Sequence, residues 1–394
     1  MDIEVLFVDH ESRLSGGEQD LLDLVAALGH GHPRIKIHAA LPAEGPLSRA
    51  LADQGCGVHL VAFGDQMRKT SRWELQRRPH LAILRLMDAM RTARALGRLM
   101  DEIKPRVVHT NSMKSHFLAL VPARFRGIPV IWHVRDILGE GWLRRVFRFV
   151  GGRGPAHILC ISEATRRQFD GSRAHSRSRV VYNGIDLRRF DDVDRAGWRL
   201  RLGAPGDEVL VGIVGQISGW KGQDTFIEAA GVVSKQVPEA RFVVVGECLF
   251  PENEGEYERR IHTRASELGL DPVLVWAGWS DDPQSVMSAI DVVVHASHLP
   301  EPFGRVIVEG MAAGRPVIAS SEGAGPEIVR DGEGLVIPPG EPGLLVDALL
   351  PLVTSGDVRK RMGESARAGA RRFDIALTAD AVASVYAELL GRAP

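Results

Sequence analysis

Six segments in the second half of the chain are almost unbroken apolar runs: VLVGIVG (209–215), RFVVVG (241–246), VLVWAG (273–278), DVVVHAS (291–297), RPVIAS (315–320) and GLVIPP (334–339). A strand with one face in water alternates apolar and polar residues, whereas a strand covered on both faces has no need to. Short runs of this kind, separated by longer helical stretches, predict a parallel sheet with helices on both sides. The first half repeats the rhythm through IEVLFV (3–8), KIHAAL (36–41), VHLVAF (58–63), RVVHT (106–110), PVIWHV (129–134), HILCIS (157–162) and RVVYN (179–183). The expected fold class is therefore α/β, with two doubly wound Rossmann-like domains. The 394-residue length agrees, since one core stops growing well before that size. A polar stretch, DDVDRAGWRLRLGAPGDE (191–208), breaks the alternation and is expected to be the connection, giving domains 1–190 and 191–374.

Charge is divided between these halves. Residues 1–190 carry 30 Lys/Arg against 19 Asp/Glu, and the remainder 19 against 31, so a net charge of −1 conceals +11 and −12. Such opposition points to two domains with different tasks, or to arginine-rich composition falling unevenly. Three scattered cysteines, Cys56, Cys160 and Cys248, have no metal-type spacing and argue against a disulfide framework. The opening MDIEVLFVDH reads as a strand, not as a secretory leader. No apolar run approaches the roughly 20 residues that span a bilayer. The expected location is the cytoplasm.

In doubly wound sheets ligands bind beyond the carboxyl ends of the strands. Three loops in the second half occupy such places. GQISGWKG (215–222) has glycines that let amides approach an anion, and Lys221 precedes a helix expected near Gly222. A lysine beside a helix N-terminus suits phosphate, although a loop with a snorkelling lysine would read the same. In EPFGRVIVEGMAAGRPVIAS (301–320), Gly304 and Arg305 stand where a helix begins, so their amides are free donors. Glu309, among Val306, Ile307, Val308 and Met311, tilts back toward that N-terminus and could grip ribose hydroxyls. Glu301 precedes the turn at the strand end. The third loop, AGWSDD (277–282), is suited to flank a base.

The pair Glu301 and Glu309, seven residues apart in its PFG context and with GQISGWKG upstream, resembles the donor domain of the family 4 retaining glycosyltransferases of GT-B fold. SGGEQ (15–19), IWHVRD (131–136), CISEATRRQF (160–169) and YNGIDLRRF (182–190) extend the resemblance over nearly the whole chain. It implies two domains facing each other across a cleft that holds a nucleotide-diphosphate sugar. The final helix, roughly Ile375 to Leu390, would return to the first domain. Lys221 would neutralise the diphosphate, helped by the turn Gly16-Gly17 and by the main chain around Phe303, Gly304 and Arg305. Glu309 would hold the ribose, Glu301 the donor sugar, and His133 would lie beside the reacting sugar, although a satisfied core histidine is the plainer reading. Where the family usually carries an Arg after the first loop's glycine, this chain has Gln216.

The resemblance implies transfer to a hydroxyl acceptor with retention, by front-face attack assisted by the leaving phosphate. Glu301 is not expected to act as a nucleophile of the retaining-glycosidase kind. No metal or other cofactor is expected, because Lys221 and helix amides can hold the developing charge. Asp192-Val193-Asp194, the one Asp-x-Asp, lies in the polar stretch and reads as solvated. A UDP-sugar is the first expectation and a GDP-sugar, mannosyl-type, the second; the acceptor is a lipid-linked glycan or a small molecule, and no nucleic-acid partner is expected. RKTSRWELQRR (68–78) and WLRRVFRFVGGR (142–153) mix arginine with aromatic residues and fit peripheral contact with an anionic membrane face, or equally a helix packed on its own domain. A nucleotide-sugar binding protein without activity remains open. A nicotinamide oxidoreductase is disfavoured, since no G-x-G-x-x-G follows the first strand.

Overall fold

The computed structural model describes residues 2–63, 86–249 and 251–391. The basic stretch 68–78 lies outside the described residues. These divide into two compact units, one running to Gly184 and regaining the chain from Ile375, the other spanning Ile185–Asp374.

The first unit is built on seven parallel strands: β1 Ile3–Val8, β2 Ile35–Leu41, β3 Gly57–Leu60, β4 Val107–Thr110, β5 Val130–Val134, β6 His157–Cys160 and β7 Ser178–Val180, in the order β3-β2-β1-β4-β5-β6-β7. Successive residues of β1 feed opposite faces. Leu6 and Val8 pack with Leu96, Leu118, Trp132 and Phe147 on one side, and Val5 and Phe7 with Leu21, Leu24, Val382 and Tyr386 on the other. Both faces are thus dry, which explains the near-continuous apolar runs. Full burial of side chains of this size stabilises by about 1.5–3 kcal/mol each. The helix Ile375–Leu389 packs against the helix Gly16–Gly31, so the last helix belongs to the first unit.

The second unit has six parallel strands: β8 Val209–Val214, β9 Ala240–Val245, β10 Leu274–Gly278, β11 Val292–His295, β12 Val317–Ser320 and β13 Gly334–Ile337, in the order β10-β9-β8-β11-β12-β13. Strand order reverses between β1 and β4 and between β8 and β11. These are the switch points where such sheets open a crevice at their carboxyl ends.

The polar stretch is not the connection. The chain enters the second unit at Ile185, whose amide donates to Phe373 O at 2.9 Å. Residues Arg195–Arg201 then form a helix that packs on the helix Pro283–Ala289, with Trp198 donating to Asp282 at 3.2 Å. Its polarity reflects a helix with one face in water. Asp194 is its N-cap, accepting from the Gly197 amide at 2.9 Å.

Candidate functional site

Two loops of the second unit leave adjacent strands at the switch point, one after β8 and one after β11. Each ends in a glycine with left-handed backbone that caps a helix: Gly222 (φ 78°) before Gln223–Gln236 and Gly304 (φ 83°) before Arg305–Ala312. Neither cap supplies a side-chain acceptor to the helix N-terminus. Gly222 is also forced by space, because a Cβ there would lie 2.0 Å from Ala296 O. The two helix N-termini expected from sequence are present, each with its positive dipole end toward the carboxyl edge of the sheet.

Lys221 sits immediately before the first of these caps. Its Nζ lies 2.7 Å from Glu301 Oε2 and 4.0 Å from the centroid of the Trp220 ring. Glu301 is buried, and the same oxygen is 3.3 Å from His295 Nε2 and 3.2 Å from Ser297 Oγ. Burial by itself would raise the Glu301 pKa. The Lys221 charge, with hydrogen bonds from His295 and Lys221, overrides this and holds the carboxyl well below the usual range. The Glu301 main chain is fixed as well: its carbonyl accepts from Ala324 at 2.9 Å, and Gly323 (φ 84°) passes so close that a Cβ would meet Glu301 O at 2.2 Å.

Glu309 is buried inside the second helix, and Arg305 Nε donates to its Oε1 at 2.7 Å. This i,i+4 pair points the carboxylate toward the helix N-terminus, the direction its Cβ dictates. Phe303 is different. Its side chain is buried edge-on against Phe373, with ring centroids 5.8 Å apart, so only its main chain is left for a ligand. Gln216 follows Gly215 (φ 143°), and its carbonyl accepts from Gln223 Nε2 at 2.9 Å. In the third loop, Gly278 (φ 68°) turns the chain, Trp279 is half exposed, and Asp282 caps the helix Pro283–Ala289.

In the first unit Gly16 and Gly17 are the first residues of a helix rather than a separate turn, with Ser15 and Glu18 forming a capping box. Among the described residues nothing lies within 4 Å of a Cβ built on Gly16, and only Arg135 Cδ, at 3.8 Å, approaches one on Gly17. The fold itself does not demand glycine at either. His133, on β5, is fully buried.

Several site residues were not anticipated. His295 and Ser297 stand at the end of β11 around Glu301, and the only sequence signal was polar residues closing an otherwise apolar run. At the carboxyl ends of β1, β4 and β5, Arg135 donates to Asn111 (2.5 Å), Asn183 (2.9 Å) and Asp20 (3.2 Å), and Asn111 donates to Asp9 at 2.8 Å. This network joins residues from five separate segments, which local pattern cannot reveal.

Residues 194–369 match the family model described as Glycosyl transferases group 1, and residues 47–189 match Glycosyltransferase Family 4. The chain is 34% identical over 217 residues to D-inositol 3-phosphate glycosyltransferase of Saccharomonospora viridis, covering 54% of this chain and 50% of that protein. It is 32% identical over 219 residues to the lipopolysaccharide core biosynthesis glycosyltransferase LpsE of Rhizobium meliloti, covering 55% and 58%. The chain spans about half the length of the curated relatives it matches. Among solved structures, HepE of Anabaena in complex with UDP and glucose superposes with a TM-score of 0.80 at 25% identity, over 98% of this chain and all of that one. With two family matches following one another along the sequence, and both sheets in doubly wound order, the chain belongs to the family 4 glycosyltransferases of GT-B fold.

Proposed function

We propose that this protein transfers a sugar from a UDP-sugar to a hydroxyl acceptor, with retention and without a metal. The observation that carries the reading is Lys221: an ammonium at the N-terminus of a helix, at the sheet's switch point, paired with the buried Glu301. That is a site for a diphosphate next to a carboxylate able to accept from sugar hydroxyls. Glu309 is assigned to the ribose and His133 to the transferred sugar, and the amides near Gly16, Gly17, Gly304 and Arg305 to the phosphates. HepE, with UDP and glucose bound, supports the choice of base.

Glu301 is poorly suited to attack an anomeric carbon. Its carboxylate is held by a cation and stabilised as an anion, which lowers its nucleophilicity, so the retaining-glycosidase route is disfavoured. In the alternative, an oxygen of the leaving phosphate takes the acceptor's proton as the acceptor oxygen bonds the anomeric carbon on the same face. The protein then contributes charge stabilisation of the departing UDP and placement of the acceptor. With Gln216 in place of the usual Arg, Lys221 is the main fixed cation on that charge, beside the helix amides.

A thermal-shift panel of UDP, GDP and ADP tests the donor. Ligand at 100 times its Kd adds about 2.7 kcal/mol of stability, enough to separate the bases. UDP should stabilise most; stabilisation by GDP alone would move the donor to a GDP-sugar. Incorporation from UDP-sugars, with the product's anomeric configuration read by NMR, tests transfer and retention. Binding of UDP without turnover on any acceptor would favour a nucleotide-sugar binding protein instead.

A further inference from the structure

His133 ends a buried hydrogen-bonded chain inside the first unit. Its Nδ1 lies 3.1 Å from Nε2 of His109 on the neighbouring strand β4, and His109 Nδ1 lies 2.6 Å from the phenolic oxygen of Tyr386 on the helix Ile375–Leu389. All three side chains are fully buried. Among the described residues nothing reaches His133 Nε2, and His109 is the one hydrogen-bond partner of the Tyr386 hydroxyl.

Burial keeps each member neutral. It drives both imidazoles well below their ordinary pKa, with the Arg135 charge acting in the same direction, and it drives the Tyr386 phenol well above its own. A neutral imidazole carries one proton, and a buried phenol O–H must donate or lose its hydrogen bond. The acceptor within reach of Tyr386 is His109 Nδ1, so the His109 proton is on Nε2. That nitrogen donates to His133 Nδ1, which leaves the His133 proton on Nε2. The reversed chain would leave two groups unmet, the Tyr386 hydroxyl proton and a bare His133 Nε2, where the forward chain leaves only the His133 Nε2–H.

We propose that Tyr386 and His109 are positioning residues that lock His133 in its Nε2–H tautomer, so that it offers a hydrogen-bond donor, and not a base, to an oxygen of the bound sugar. The inference rests on the assignment of His133 to the transferred sugar. A chain that served packing alone would have no reason to end in a buried, unpartnered N–H, which costs about 1–3 kcal/mol. An apolar trio of equal volume would avoid that cost. The arrangement also agrees with a proton taken by the leaving phosphate, because a His133 held as donor cannot accept it.

The test combines tautomer and turnover. In ¹⁵N-histidine-labelled protein, with His133 assigned by loss of its signals in His133→Gln, Nε2 should carry the proton and Nδ1 should be bare. Tyr386→Phe removes only the hydroxyl. It should let His133 populate both tautomers and lower turnover by about tenfold, what one hydrogen bond is worth, with UDP affinity unchanged. A proton on Nδ1 in the wild type overturns the proposal, and decides the matter even if Tyr386→Phe does not fold. A fully active Tyr386→Phe beside a crippled His133→Ala overturns the relay alone. A fully active His133→Ala overturns the assignment of His133 to the sugar, and the proposal with it.

Discussion

Glu301 and Glu309 are both buried carboxylates, and each is neutralised by a different cation. Lys221 comes to Glu301 from a loop 80 residues away, whereas Arg305 reaches Glu309 from one turn of the same helix. Their roles should separate accordingly. Glu309→Ala should weaken UDP binding in calorimetry, while Glu301→Gln should bind UDP at least as well, because it releases Lys221, and should turn over slowly. Equal loss of UDP affinity in both variants would refute the division. Lys221→Ala should lower kcat by ~10²–10³, the usual effect of removing one preorganised donor to a developing charge. It also strands a buried carboxylate, so its melting temperature should fall; Lys221→Arg keeps the ion pair and separates the two effects. Gln216→Arg should fold normally and tighten donor binding or leave it unchanged. Near wild-type turnover in Lys221→Ala would show that the diphosphate site had been misplaced.

At the level of elements, the site depends on two short loops ending in left-handed glycines. Gly222→Ala combines an unfavourable backbone with a contact no rearrangement of a side chain can relieve, since the obstacle is the Ala296 carbonyl. Backbone strain of this kind costs about 1–3 kcal/mol, so the denaturation midpoint should drop and the helix Gln223–Gln236 should lose hydrogen-exchange protection at its first turn. The helix Trp142–Gly151 is tied to its own unit more firmly than its arginines suggested. Leu143 and Phe147 are buried, Arg144 donates to Gln168 O at 3.3 Å, and Arg148 donates to Asp170 O. What it leaves outside is Arg145, Val146 and Phe149, with the Arg153 guanidinium 3.9 Å above the Phe149 ring. Each exposed arginine near an anionic leaflet is worth about 1 kcal/mol. A membrane-facing acceptor predicts salt-sensitive sedimentation with anionic vesicles, reduced in Phe149→Ser and Arg153→Ser. Absence of such binding leaves a small-molecule acceptor ahead.

On the scale of the whole molecule, three buried histidines held neutral make stability pH-dependent, and these three lie in the first unit. His116, stacked on Trp132, is pushed down to about 3 chiefly by burial, and His109 and His133 are lowered too. In the unfolded chain these rings take up protons below about pH 6.5, whereas in the fold they do not. The unfolded state then binds more protons, so stability is full above that pH and falls as the pH drops, for His116 until about 3. Glu301 acts in the same direction lower down, since its carboxyl is held below the ordinary 4.5 and its contribution fades only beneath that value. On acidification from about pH 7.5 to about pH 5, β4 and β5 should lose hydrogen-exchange protection before β8 and β11. A denaturation midpoint unchanged over that range would contradict this account.

The strands, the parallel sheets and the starts of the helices at Gly222 and Gly304 were all determined by the sequence, because each rests on a local pattern. Burial on two faces writes itself into consecutive residues, and a helix N-terminus announces itself within one turn. Which strands stand side by side was not local. The adjacency of β8 and β11, which brings Lys221 to Glu301, is set by crossovers through β9 and β10, and nothing in GQISGWKG records its partner. The same holds for Tyr386, 277 residues from His109, which meets it only because the last helix returns to the first unit. The polar stretch after Asp191 was misread for a related reason: a helix that covers another element with one face looks, residue by residue, like a linker. Only tertiary packing supplied the second face, and with it the buried partners that fix charge and tautomer at the site.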